Sequence, residues 1–192
     1  MKKLISIVGV TFLLAGCGTQ HLAPLEDKTT DLRDSNHQLK LDIQELNQQI
    51  SDSKSKIQGL EKDKKDSKKT ATNNTKIKKL NATSHYYDSL ATALQSYKNI
   101  EQDVSKNKGQ KSIQQKLDKI SNNITDAHDQ YTEDIDGHKL SKDEKNDSKV
   151  INKLNKNLTS AFDDISTGYQ NKDKKQIQRG QKKLAKLNIN SQ

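Results

Sequence analysis

From Leu25 onward the apolar residues of this chain recur every seven positions, a spacing that restricts its first third to helix. One series is Leu25, Leu32, Leu39, Leu46, Ser53 and Leu60, and the other is Thr29, Asn36, Ile43, Ile50 and Ile57. Assigned as d and a, they place leucine at d and isoleucine at a with one asparagine at a, the pattern of a parallel two-stranded coiled coil. Asn36 would set register and strand number at a cost in stability. Residues 25–62 would then form a rod of about 55 Å at 1.5 Å per residue. The same stripe could instead pack on later helices of its own chain. Flanking charges do not choose between the two: across a dimer Lys28 faces Arg33 unfavourably, Lys56 faces Glu61 favourably, and the other pairs are indifferent. A homodimer through residues 25–62 and packing within one chain are both open expectations.

The remainder has material for helices and for little else. Hydrophobic residues make up 29% and aromatics 4%, against 31% charged, which rules out a thick core or a deep apolar ligand pocket. Helical assemblies need only two or three apolar residues per heptad. Pro24 is the only proline, so helices are free to run long, and no alternating β-branched and aromatic run marks a strand. Residues 61–75, EKDKKDSKKTATNNT, hold no large apolar side chain and read as a solvated helix end or a linker, with the domain boundary and a polar linker placed over 63–75.

Beyond it the apolar residues recur at helical spacing. Leu80, Tyr87, Leu90, Leu94, Tyr97 and Val104 form one stripe that stops near Lys108-Gly109. Ile113, Leu117, Ile120, Ile124, Ala127 and Tyr131 form the next, stopping at Asp136-Gly137, glycine being the usual residue just past a helix. Ser141-Lys142-Asp143-Glu144 matches a capping box and opens a third helix carrying Ile151, Leu154, Leu158, Ala161, Phe162, Ile165 and Tyr169. A last helix from about Asp173 carries Ile177, Leu184 and Leu187. Short connections make neighbours antiparallel. The expected fold is all-α: a long N-terminal helix or coiled coil over 25–62, then an up-and-down bundle of three long helices and one short over 76–189.

The N-terminus carries a different message. Lys2-Lys3, the apolar run Leu4 to Leu14 and the small residues before Cys17 have the three-part form of a bacterial export signal. The run reaches only about half of the ~30 Å hydrocarbon core as a helix. Leu14-Ala15-Gly16-Cys17 resembles the lipobox of bacterial lipoproteins. The resemblance implies that the signal 1–16 is removed, that Cys17, the only cysteine, receives a diacylglycerol, and that residues 17–24 are a lipidated tether. Two acyl chains anchor stably where one binds reversibly.

Removal of residues 1–16 takes away Lys2 and Lys3 and leaves 32 basic against 25 acidic side chains. Such a body is attracted to anionic headgroups and wall polymers. Lysine-, asparagine- and glutamine-rich helices behind a lipobox resemble the small helical lipoproteins of Gram-positive bacteria, including the YkyA-like cell-wall-binding lipoproteins. That likeness implies a binding or structural role on the extracellular face of the cell membrane, with an anionic wall polymer or another surface protein as partner. An exclusion lipoprotein that blocks phage or conjugative DNA at a membrane partner suits the same organisation. No nucleic-acid reading motif is present, and nucleic acid is not an expected partner.

No catalytic signature occurs: GxSxG, a phosphate-cradling glycine loop, HExxH and CxxC are all missing, so neither enzyme activity nor a cofactor is expected. His21, His37, His85, His128 and His138 are scattered on polar stretches without metal-ligand spacing. Thr132–Glu144 resembles an EF-hand loop in its Asp134-x-Asp136-Gly137 core and its closing glutamate. Thr132, however, stands where the first aspartate belongs, and Glu144 follows Gly137 by seven residues instead of six. An interhelical turn with a capping box accounts for the same residues, and no metal is expected. The lysines from Lys62 to Lys69 read as a solvated joint or a polyanion patch. Tyr87, Tyr97, Tyr131 and Tyr169 continue apolar stripes and are expected in the core, whereas Tyr86 points elsewhere and could form an exposed patch with His85, although bundle core is the favoured reading for the tyrosines as a group.

Overall fold

A computed structural model describes residues 23–62, 67–138 and 140–187. The expected export signal 1–16, Cys17 and His21 lie outside the described residues. Among the described residues there are six helices and no strand. They are α1 (Ala23–Lys62), α2 (Ser67–Lys98), α3 (Glu101–Lys106), α4 (Lys111–Ile135), α5 (Lys142–Gln170) and α6 (Lys174–Leu184). None is long and apolar enough to cross a membrane. The chain divides into residues 1–33 and a compact unit 34–192. Of the first, Ala23–Arg33 is described and is helical. In the second, α2 packs on α4, α4 on α5, α5 on α6, and α3 also meets α6.

α2 has the widest buried surface. Its buried positions include Ala82, Ser84, Tyr86, Tyr87, Leu90, Ala91, Ala93, Leu94 and Tyr97, an arc of about 200° at 100° per residue. This arc corrects the expectation for Tyr86. Adjacent to Tyr87 and rotated from it by one residue, it is nonetheless only 1% exposed, because α2 is covered on more than one side. Its ring meets Tyr131 at 5.7 Å and His128, edge on, at 6.2 Å, while His85 faces solvent. The expected linker over 63–75 is also shorter than its composition suggested. Residues 67–75 are already helical, since polarity does not stop a helix and no glycine or proline interrupts them; residues 63–66 lie outside the described residues.

α1 belongs to the same core. Leu39, Leu46 and Ile50 are buried in one cluster with the apolar residues of α2 to α6, each side chain contributing about 1.5–3 kcal/mol. The buried line runs Ser35, Leu39, Asp42, Leu46, Ile50, Ser53, five turns at the 3.6-residue period of a straight helix and not the 3.5 of a supercoil. It therefore lies to one side of the a/d seam: Asp42 is buried while Ile43 and Ile57 are only half-buried. The single chain thus adopts the self-packed alternative, and parallel pairing through residues 25–62 would compete for the same leucines.

A break after Lys98 adds α3. Ile100 N donates to Tyr97 O at 2.9 Å, and the chain restarts with Glu101 and Val104 buried. Asn107 closes α3 in the left-handed conformation, and Gly109 follows at φ +66°. Glu101 accepts hydrogen bonds from Ser35 Oγ and Asn36 Nδ2, both at 3.0 Å, which ties α3 to α1. Asn36, which in a dimer would face its own copy, pairs here with a carboxylate.

The expected capping box is present at α5, where Ser141 N donates to Glu144 Oε2 at 2.7 Å. At the α5–α6 crossing, Gly168 and Gly180 allow backbone-level contact. A Cβ on Gly180 would lie 2.5 Å from Ala161 O and 2.6 Å from Ile165 Cγ1. On helix propensity alone Gly180→Ala would gain about 1 kcal/mol. The crossing predicts instead a loss of about 1–3 kcal/mol from overpacking, a fall in melting temperature of about 3–8 °C; a rise would show that the two helices do not touch there.

Buried carboxyls set the pH response. Burial pushes Asp42 up to about 6, partly offset by the Gln38 amide that donates to Oδ1 at 2.8 Å, and Oδ2 has no partner. Burial also raises Glu101 against the donors Asn36 and Ser35. A raised carboxyl destabilises the fold fully above its folded pKa, and the penalty is relieved as pH falls through that value toward the ordinary one. Asp42→Asn should therefore stabilise the chain at pH 7.5, and its advantage should shrink by on the order of 1 kcal/mol at pH 5. Thermal melts of both chains at the two pH values measure this, and an advantage independent of pH would contradict the burial of Asp42.

Candidate functional site

Two surface features carry chemistry. The first is α6. Asp173 caps it, accepting from Lys175 N at 2.9 Å and Gln176 N at 3.1 Å. Ile177, Gly180, Gln181 and Leu184 turn inward, and Gln181 donates to Tyr97 Oη at 3.2 Å and Ser105 Oγ at 3.1 Å. The outer face is then left to cations, and no acidic residue occurs from Lys174 to Leu187.

Lys175, Arg179 and Lys182 are spaced four and three residues apart on one face of α6, and Lys186, in the turn just past its end, continues the row four residues on. They extend over about 16 Å at 1.5 Å per residue. Beside this row Asp164 of α5 accepts from Arg179 Nε at 2.9 Å and Nη2 at 2.6 Å, and pairs with Lys183 Nζ at 2.8 Å. Lys183 also donates to Ser160 Oγ at 2.7 Å. The Arg179 hydrogen bonds hold the Asp164 carboxyl well below the usual carboxylate range, outweighing its burial, with help from Lys183. One carboxylate thus orients two of the cations, and the row borders a surface hollow of about 380 Å³.

The second feature is a groove of about 450 Å³ between the end of α1, the first half of α2, the end of α4 and the start of α5. Leu60, Leu80, Ile135 and Leu140 supply its apolar surface. Lys56, Lys76 and Lys79 line it along with Glu144 and Asp147. Lys79 Nζ pairs with Glu144 Oε2 at 3.0 Å. Burial opposes ionisation of Glu144, but the Ser141 and Lys79 donors prevail and lower its pKa. Asp147 moves the other way, raised chiefly by burial against the attraction of Lys56. The composition excluded a deep apolar pocket; the shallow groove arises because the stripes of α1, α2 and α4 run out here only half covered.

Of the residues singled out in the sequence, Cys17 and His21 lie outside the described residues. His37 and His85 are exposed and His138 is half-buried. His128 Nε2 lies 2.8 Å from Asn152 Oδ1. Thr132–Ile135 form the last turn of α4, Gly137 turns the chain at φ +70°, and Glu144 is engaged by Ser141 and Lys79. Among the described residues no three histidine, cysteine or acidic side chains are grouped to hold a metal. Of the Lys62–Lys69 run, Lys62 is exposed, and Lys64 and Lys65 lie outside the described residues. The sequence reading passed over α6 as a site, although the acid-free run of six basic residues from Lys174 to Lys186 was visible in it. Comparison with protein-family models, curated proteins and solved structures finds no match for this chain.

Proposed function

We propose that the chain is a lipid-anchored protein on the extracellular face of a bacterial cell membrane that acts by binding an anionic envelope polymer and not by catalysis. The observation that carries this reading is the α6 row. A compact anion is recognised by converging donors, whereas cations recurring once per turn along 16 Å match charges strung along a linear chain. Each exposed pair is weak and screened by salt, so only a repeated partner gains from the whole row. The lipobox-like Leu14-Ala15-Gly16-Cys17 supports the anchor, since a lipidated Cys17 would hold the row close to the envelope.

Binding to immobilised poly(glycerol phosphate) at about 0.1 M salt, where the Debye length is about 10 Å, tests the row. The triple variant Lys175→Glu, Lys182→Glu, Lys186→Glu should lose at least tenfold in affinity. A control with the same charge change, Lys40→Glu, Lys54→Glu, Lys119→Glu, should lose less than threefold. Equal losses would mean that net charge alone is read, and no loss in the α6 variant would refute the reading. The anchor is tested separately: Cys17→Ala should abolish labelling by a fatty-acid probe and release the protein from membranes, and unchanged labelling would contradict it.

A further inference from the structure

We propose that the groove bounded by α1, α2, α4 and α5 binds a single long-chain carboxylate, its hydrocarbon on Leu60, Leu80, Ile135 and Leu140 and its head at Lys76. Over most of the compact unit the large apolar side chains are buried, yet these four are all half-buried and converge from four segments on one cavity. Apolar surface left together in water favours an apolar occupant.

The size selects among occupants. A helix of about 10 Å diameter would fit less than two turns into 450 Å³, so the groove is too small for a partner's amphipathic helix. At roughly 30 Å³ per water-sized group, it accommodates about fifteen non-hydrogen atoms, within the range of small-ligand sites. One acyl chain fits that limit over about its first thirteen carbons with the carboxylate, and the last few carbons of a longer chain such as palmitate extend out of the groove.

The charges select the head. α1 contributes Lys56, α2 contributes Lys76 and Lys79, and α5 contributes Glu144 and Asp147. Lys79 is paired with Glu144, and Lys56 acts on Asp147. One positive charge remains in excess, on the exposed Lys76. That balance suits a monoanion; a cation would meet the excess lysine, and a polyanion would meet both acids. Nothing in this site depends on the α6 row, and either can fail without the other.

Displacement of fluorescent cis-parinaric acid by palmitate from the full chain carrying Cys17→Ser tests the assignment. The expected result is saturable 1:1 binding, with hexadecyltrimethylammonium at least tenfold weaker. Leu80→Gln should weaken palmitate at least tenfold and Lys76→Glu at least fivefold, while Asp147→Asn should tighten it. Circular dichroism confirms that each variant keeps its helices, and Ile135→Gln replaces Leu80→Gln should the latter unfold. Absence of saturable binding overturns the proposal. So does equal binding of the cationic amphiphile, or palmitate binding that Leu80→Gln and Lys76→Glu leave unchanged, which would place the ligand elsewhere on the chain.

Discussion

When fewer than a third of the residues are apolar, a core forms only where several thin stripes meet on a shared helix, and α2 is that helix. Its buried arc of about 200° takes in both Tyr86 and Tyr87, which a helix packed on one side would have to separate. α4 packs directly on it, α5 on α4, and α6 on α5. The chain also has few large side chains with which to hold the ends together. It uses Tyr97 against Phe162 at 5.3 Å, and the hydroxyls of Tyr97 and Tyr169, which accept from Gln181 and from the backbone of Gln110.

Polar contacts do what a sparse apolar surface cannot. A stripe of leucine and isoleucine at regular spacing could settle on its neighbours in more than one register. Ser35 and Asn36 donating to Glu101, and Lys79 paired with Glu144, distinguish one register from the next. A buried asparagine serves the same purpose in coiled coils. Here the cost is borne by acids: Glu101 and Asp42 are both pushed toward their neutral forms by burial. The Asp164 cluster with Arg179 and Lys183 is the reverse case, an acid whose ionised form is stabilised at the edge of a cationic surface.

Most of the helices were legible because their signals are local. The stripe Ile113–Tyr131, the capping box at Ser141, the turn at Gly137 and the start of the last helix near Asp173 all follow from spacing and backbone hydrogen bonding within a few residues. What was left open or not seen has a different cause. The placement of α1 turns on 3.5 against 3.6 residues per turn, a drift of about 20° per heptad that residue types alone do not reveal. The break between α2 and α3 has no proline or glycine to announce it; an unbroken helix would keep Glu101 and Val104 on the same buried arc, so the apolar stripe alone does not reveal the bend at Asn99 and Ile100. The groove depends on where four stripes stop being covered, which is a property of packing and not of any one helix. The α6 row was the exception, written plainly in sequence but hidden among charges that alternate in sign elsewhere.

Membership of α1 in the bundle core is read most directly by amide hydrogen exchange on the full chain, since exchange reports local opening free energies along the sequence. If α1 is held as described, the amides from Leu39 to Ser53 exchange within about tenfold of those from Tyr86 to Tyr97, which is ~1.4 kcal/mol in opening free energy, and their rates do not change with protein concentration. Exchange a thousandfold faster in α1 would contradict the packing. Protection that appears only as concentration rises would show instead that the leucine and isoleucine stripe is buried between two chains.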